Sequence, residues 1–305
     1  MLITFLNLLA RLPMRWYYRL GSFIGWTGYR CSRVDAARLR ANLYQSGIYS
    51  GDREYRALLR EVVTQSGRSV SEWLKAWYAP QAEIDRLCVE CAGWESVETA
   101  RRGGRGIIFL LPHLGSFPIA VRYTGRRLPL TVLYRVPRER WRQPVVLAGG
   151  RNAGVSMAPA DLKGVEQLLR ALKRGEAIVL PPDQAPNSKG GVWAEFFGRP
   201  AYTTTLVKKL QRATGAALIA GFAERLPEAK GYRIEYRSVP TENFDEAMLN
   251  RVIEDLVRRC PSQYIWSYNR YKTPRGALRR RSRGKGWKLH QRAAKPPRKS
   301  WFRRA

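Results

Sequence analysis

Histidine is almost missing from this chain: His113 and His290 are the only two among 305 residues. Acidic residues are scarce as well, 24 Asp and Glu against 55 Lys and Arg, which leaves a net charge of +31. The four cysteines are Cys31, Cys88, Cys91 and Cys260. Cys88 and Cys91 have the spacing of half a metal knuckle, but no second pair follows and His290 lies far away in a basic tail. A zinc site is therefore not expected, and the thiols read as reduced. No apolar run reaches the ~20 residues that a membrane-spanning helix needs. There is no Walker loop, no GxGxxG after a strand and no GxSxG elbow. The motifs of P-loop nucleotide hydrolysis, dinucleotide binding and α/β-hydrolase chemistry are thus all missing.

What remains is a chain long enough to bury a core, and 45% apolar residues exclude a disordered protein. The positive charge seeks polyanions such as an anionic lipid surface, an acidic protein or nucleic acid. Residues 275–305 hold 13 of the basic residues and no acidic one, yet residues 1–274 still carry +18. That segment reads as a disordered basic arm, with Trp287, Trp301 and Phe302 suited to a headgroup boundary or to stacking on bases. The body contains no recognisable nucleic-acid module, which places nucleic acid last among the partners. At the other end, apolar patches at 2–10 and 20–29 are interrupted by Arg11, Pro13, Arg15 and Arg19. Arginine, tryptophan and tyrosine mixed with leucine and phenylalanine suit a segment lying on a membrane, so residues 1–34 are expected to be membrane-associated.

Residues 35–103 read as helical, with 35–49 and 51–78 the clearest stretches and an interruption expected near Gly67. From residue 104 short apolar runs alternate with helical stretches. The runs are 106–112, 130–135, 177–182, 216–224 and 232–239; the helices fall at about 114–126, 138–150, 161–174, 203–214 and 243–260. This alternation predicts an α/β body over 104–274 with a largely buried sheet. In such folds chemistry gathers at the C-terminal ends of strands, where helix N-termini also point. Two runs end suggestively: GIIFLLP delivers His113, and AIVLPP delivers Asp183 and Gln184.

Histidine chemistry in the body must use His113. A histidine at a helix start can be a general base on a hydroxyl, and it then needs a carboxylate to hold its tautomer. Alone, a histidine at a strand end is as compatible with a structural role. The stretch 181–205 reads as a long loop that carries Trp193, Phe196 and Phe197, followed by Gly198 and a threonine run, Thr203 to Thr205, suited to capping the next helix. In WSYNRYKTPRG, residues 266–276, Arg270 and Lys272 are of the type that binds phosphate, and a solvated basic turn fits them equally.

Taken in order, these blocks resemble the lysophospholipid acyltransferase-like superfamily, in its lipid A biosynthesis (lauroyl/myristoyl) branch. The similarity spans roughly residues 1–275. Its His-x4-Asp/Glu motif falls on His113 to Pro118 and its Tyr-Arg strand end on Tyr134-Arg135. The arginine before a glycine falls on Arg151 and the Pro-Asp-Gln loop on Pro182-Asp183-Gln184. The Phe-Phe-Gly block is Phe196-Phe197-Gly198, the threonine-rich helix start is Thr203–Thr205, and the closing turn runs from Trp266 to Lys272. The resemblance implies a glycerolipid acyltransferase-like α/β fold with a mixed, mostly parallel sheet flanked by helices, and an N-terminal membrane-associated segment. It implies transfer of a fatty acyl chain from an acyl thioester, on acyl carrier protein or coenzyme A, to a hydroxyl of a lipid A precursor or related glycolipid. The work would be done at the cytoplasmic face of a bacterial inner membrane, with no metal or cofactor. His113 would be the base; Arg135, Arg151, Gln184, Phe197, Gly198, Thr203, Arg270 and Lys272 would meet substrate.

The motif's acid is absent, because position 118 is proline. Proline can neither orient an imidazole nor stabilise imidazolium. Three outcomes fit: another carboxylate substitutes, Asp183 first and Glu195 second; His113 acts slowly alone; or the chain is a catalytically impaired homologue that binds lipid or regulates a partner.

Overall fold

The computed structural model describes residues 2–137, 139, 142–187, 190–274 and 277. The expected basic arm and His290 lie outside the described residues. Four helices come first: α1 (Leu2–Leu9), α2 (Met14–Cys31), α3 (Arg33–Ser46) and α4 (Asp52–Tyr78). Then follow α5 (Gln81–Leu87), β1 (Cys88–Ala92), α6 (Trp94–Arg102), β2 (Ile107–Leu110), α7 (Phe117–Gly125), β3 (Leu130–Tyr134) and α8 (Arg142–Asn152). The remainder is β4 (Ser156–Pro159), α9 (Leu162–Lys173), β5 (Ala177–Leu180), β6 (Gly191–Phe196), β7 (Arg199–Thr204), α10 (Leu206–Thr214), β8 (Ala217–Arg225), β9 (Tyr232–Val239) and α11 (Glu246–Arg259).

Seven strands form one sheet in the order β1-β9-β8-β2-β5-β3-β4. Five neighbours, β8, β2, β5, β3 and β4, run parallel; β9 is antiparallel to β8, and β1 is parallel to β9. The sheet is therefore mixed and mostly parallel. Its two central strands are wholly apolar, Ile-Ile-Phe-Leu in β2 and Ala-Ile-Val-Leu in β5, and every residue of both is buried. That composition is what a strand covered on both faces requires. Successive side chains alternate between two hydrophobic clusters, one on each face: Ile108 and Leu110 enter one, Ile107 and Phe109 the other. Helix α4 belongs to both, through Tyr55, Leu59, Val62 and Val63 at its start and Ala76, Trp77 and Tyr78 at its end. Side-chain caps fix several helix starts; Asp161 accepts from Gly164 N at 2.9 Å and Asp245 from Met248 N at 2.7 Å.

Several sequence expectations need correction. Helix α4 is not interrupted at Gly67 but runs straight through it. The glycine serves a close crossing: a Cβ there would meet the backbone of Gly21 and Gly25 on α2. Strands β1 and β4 were not anticipated; each is short and lies at an edge of the sheet. The expected loop 181–205 holds a two-stranded antiparallel hairpin, β6 and β7, outside the main sheet. Residues 203 and 204 end β7, so the following helix starts at Leu206 rather than at 203.

Helices α1 and α2 present apolar side chains outward: Ile3, Phe5, Leu8, Leu12, Trp16, Leu20 and Phe23 are all exposed. Arg11, Arg15 and Arg19 share that exposed surface. The opposite side of α2 buries Met14, Tyr17, Tyr18 and Gly21. Among the described residues no helix is long and apolar enough to cross a membrane.

Candidate active site

Strands β2 and β5 are parallel neighbours, and their register pairs Leu110 with Leu180. Three residues beyond each of these stand His113 and Asp183. Equal spacing past a paired position brings the two side chains together. His113 Nδ1 lies 2.9 Å from Asp183 Oδ1, and the His113 backbone N–H donates to Asp183 Oδ2 at 3.1 Å. Asp183 is fully buried, whereas the His113 side chain keeps about 30% exposure. The carboxylate is thus the buried member of the pair, and the imidazole is the one that reaches solvent.

Burial alone would lower the His113 pKa, but the Asp183 charge and hydrogen bond outweigh it and hold it above its ordinary value. For Asp183, burial works upward and the His113 partnership and two backbone N–H bonds work downward, and the net displacement is downward. An ionised Asp183 accepts from the Nδ1–H, which fixes the tautomer and leaves Nε2 with a lone pair and no hydrogen. Gln184 Nε2 sits 3.2 Å from His113 Nε2, so its amide group donates there. The Phe117 ring stacks on the imidazole, 5.9 Å between centroids and 14° between planes.

Tyr264 completes the arrangement. It is buried, it pairs through a β-bridge with Leu114, and it lies close enough to Asp183 for the carboxylate charge to act on its hydroxyl. Burial and the adjacent carboxylate raise its pKa well above the ordinary tyrosine value, so it stays a neutral donor. No sequence block drew attention to it; its signal is the alternation Tyr264-Ile265-Trp266, in which Tyr264 and Trp266 enter the core.

Other residues group differently from expectation. Pro118 occupies the first turn of α7, where the missing N–H costs no helical hydrogen bond. Glu195, the second candidate acid, is exposed on β6. Arg135 is exposed just past β3, at the same C-terminal edge as His113. Arg151 falls in the last turn of α8, which returns the chain to the opposite edge of the sheet. Phe197 and Gly198 form the two-residue turn of the hairpin, both with positive φ (48° and 67°). Phe197 packs into the core beside Phe196 and Trp266.

Thr203 and Arg270 are buried and engaged with protein atoms. Arg270 donates to Tyr202 O at 2.8 Å, Thr203 Oγ1 at 2.9 Å and Asn250 Oδ1 at 3.0 Å. Asn250 Nδ2 donates in turn to Thr203 Oγ1 and to Glu195 O. Their polarity pins the hairpin to α11 and to the closing turn, which corrects the expectation of a phosphate contact. Within the threonine run it is Thr204 whose Oγ1 accepts from the N–H of Leu206, the first residue of α10, at 3.2 Å, while Thr205 makes no side-chain cap. Lys272 lies over the Tyr268 ring, and the Tyr268 hydroxyl accepts from Ala185 N at 3.0 Å, so this lysine stands near the Asp183 loop. Among the described residues no three histidine, cysteine or carboxylate side chains group to hold a metal ion.

A buried carboxylate behind a partly open imidazole whose Nε2 carries no proton is an arrangement that can serve as a general base. The lipid A biosynthesis lauroyltransferase of Escherichia coli K12 is 28% identical over 281 residues, covering 89% of this chain and 90% of that one. The palmitoleoyltransferase of the same strain is 29% identical over 227 residues, 72% of this chain and 73% of its own. A lipid A biosynthesis acyltransferase of Haemophilus influenzae is 22% identical over 87% of this chain and 84% of its own. The profile of one family, bacterial lipid A biosynthesis acyltransferase, matches residues 1–273, and the chain belongs to that family and is an acyltransferase.

Proposed function

We propose that this acyltransferase moves a fatty acyl chain from an acyl thioester, on acyl carrier protein or coenzyme A, to a hydroxyl of a lipid A precursor. His113 is the base and Asp183 its carboxylate partner. The observation that carries this is the 2.9 Å pairing of His113 Nδ1 with the fully buried Asp183. It supplies the acid that Pro118 cannot.

The acceptor hydroxyl takes the place of the Gln184 amide at Nε2 and gives its proton to the imidazole. Its oxygen forms a bond to the thioester carbonyl carbon. As the tetrahedral intermediate collapses, the C–S bond breaks and the thiolate leaves with the proton from the imidazolium. No acyl group is ever bound to the protein. Asp183 stabilises the imidazolium in between. Arg135 and Lys272, at the strand-end edge and beside the Asp183 loop, are placed to meet the acceptor's phosphates. The outward apolar face of α1 and α2 with its arginines suits docking on the anionic cytoplasmic face of an inner membrane.

The test is acyl transfer by purified protein, with an acyl-carrier thioester as donor and a lipid A precursor as acceptor. His113→Ala is expected to abolish turnover. Retention of wild-type turnover in His113→Ala would overturn the mechanism, and acylation of a different lipid class would overturn the acceptor.

A further inference from the structure

The loop after β2 must hold His113 in one place, and it is anchored at several points. Ile265 N donates to His113 O at 3.2 Å, Gly115 N to Gln263 O at 3.1 Å, and Ser116 N to Ala223 O at 2.7 Å. Gly115 turns the chain with φ +60°, and a Cβ there would meet the Ala223 carbonyl. The remaining carbonyl, Gly115 O, accepts from a side chain: Arg225 Nη2, at 2.6 Å. The same nitrogen lies 2.7 Å from Glu72 Oε1, and both ionic side chains are about 1% exposed. Arg225 Nη1 reaches Gln263 Oε1 at 3.2 Å, and the Tyr232 hydroxyl donates to Glu72 Oε2 at 2.8 Å.

We propose that Arg225, oriented by Glu72, is a positioning residue for catalysis: it fixes the turn at Gly115 and thereby the height of His113 over the opening. This rests on His113 being the base. A buried ion pair is a poor device for stability, since apolar residues of similar volume often replace one without loss. It is a good device for geometry. The planar fork of a guanidinium presents donors at fixed angles, and here one nitrogen serves two acceptors on different elements. Lysine would pair with Glu72 but has no such fork. The guanidinium stems from β8 and its acidic partner from α4, so the sheet and the helical layer together set where it lies.

The experiment compares three variants with the full-length wild-type protein, using an acyl-carrier thioester and a lipid A precursor. In Glu72→Leu/Arg225→Met the pair becomes apolar; in Arg225→Lys the charge stays and the fork goes; His113→Ala reports on the base. The paired apolar variant avoids an unpaired buried charge but removes the partners of Gly115 O and the Tyr232 hydroxyl, so it should fold with a lowered melting temperature. Its kcat should fall about 10- to 100-fold while both KM values stay within about twofold, the signature of a misplaced catalytic group. The acid limb of its pH–rate profile should move to lower pH, because a loosened His113 feels Asp183 less. Arg225→Lys should show the same split and the same limb shift, and it carries the test if the double variant does not fold. A folded Arg225 variant with wild-type kcat and an unmoved limb overturns the proposal and leaves the pair a matter of stability. If His113→Ala keeps its turnover, the base assignment fails instead. If His113→Ala is dead and the Arg225 variants are normal, only the positioning role fails.

Discussion

Position 118, where the resemblance leads one to expect an acid, holds a proline, yet His113 is not without a carboxylate. Asp183 reaches it from the neighbouring strand. Asp183→Asn is therefore expected to lower kcat by about 10²- to 10⁴-fold with the fold intact, the scale of losing a buried carboxylate behind a histidine base. The pH dependence carries a sign. His113 must be neutral to act as base, and its pKa is raised, so the rate should fall with decreasing pH through a value above the ordinary imidazole one. In Asp183→Asn that limb should move to lower pH; an unmoved limb would mean that Asp183 does not hold the proton. Pro118→Glu should bring no gain in rate, because the Nδ1 position is already occupied. A large gain in the same assay would show Asp183 to be an inadequate substitute. Single residues were partly legible in the sequence. His113 and Asp183 stood out as polar residues delivered by apolar runs. Arg270 and Thr203 were misplaced because sequence does not distinguish a polar residue that awaits a ligand from one already satisfied inside the protein.

Among the elements, the five apolar runs of the body all became strands, since such runs have few alternatives once helices flank them. The hairpin escaped because its strands are short and Pro186, Gly190, Gly191, Gly198 and Pro200 punctuate the stretch, which reads as loop. Its turn makes a clear prediction. Gly198 has φ +67°, so Gly198→Ala should destabilise the protein by about 1 kcal/mol, measurable as a shift in denaturant midpoint. The contact between α2 and α4 makes another. Gly67 was expected to break a helix, yet its lack of a side chain lets two helices touch, a role visible only when both are in place. Gly67→Leu should force them apart at a cost of about 1–3 kcal/mol or more, with α2 the first element to lose protection in hydrogen exchange. Asp183 was the first candidate partner for His113, but the strand neighbourhood that brings them together was hidden, because β3 and β4 separate β2 from β5 in the chain.

For the whole molecule, charge and apolar exposure work together. Residues 1–274 carry +18, and α1 and α2 turn apolar side chains outward beside arginines. Binding to vesicles with anionic lipid should exceed binding to neutral vesicles and weaken with added salt, as screening predicts. A Trp16→Ser/Phe23→Ser variant should bind both kinds of vesicle less well, measured by co-sedimentation, while turnover on detergent-dispersed substrate stays near wild type. Equal binding by that variant would show that the exposed face is not the docking surface.

The last described stretch of the chain also sets an order in time. Ile265 and Gln263 hold the His113 loop, Tyr264 lies close to Asp183, and Arg270 locks the hairpin. All four are synthesised after every strand of the sheet. A ribosome-bound chain that has emerged only through β9 can assemble the sheet, but its base and carboxylate lack these supports. Competence for acyl transfer therefore arrives late in synthesis, when the segment from 263 to 270 closes over the edge where the strands end.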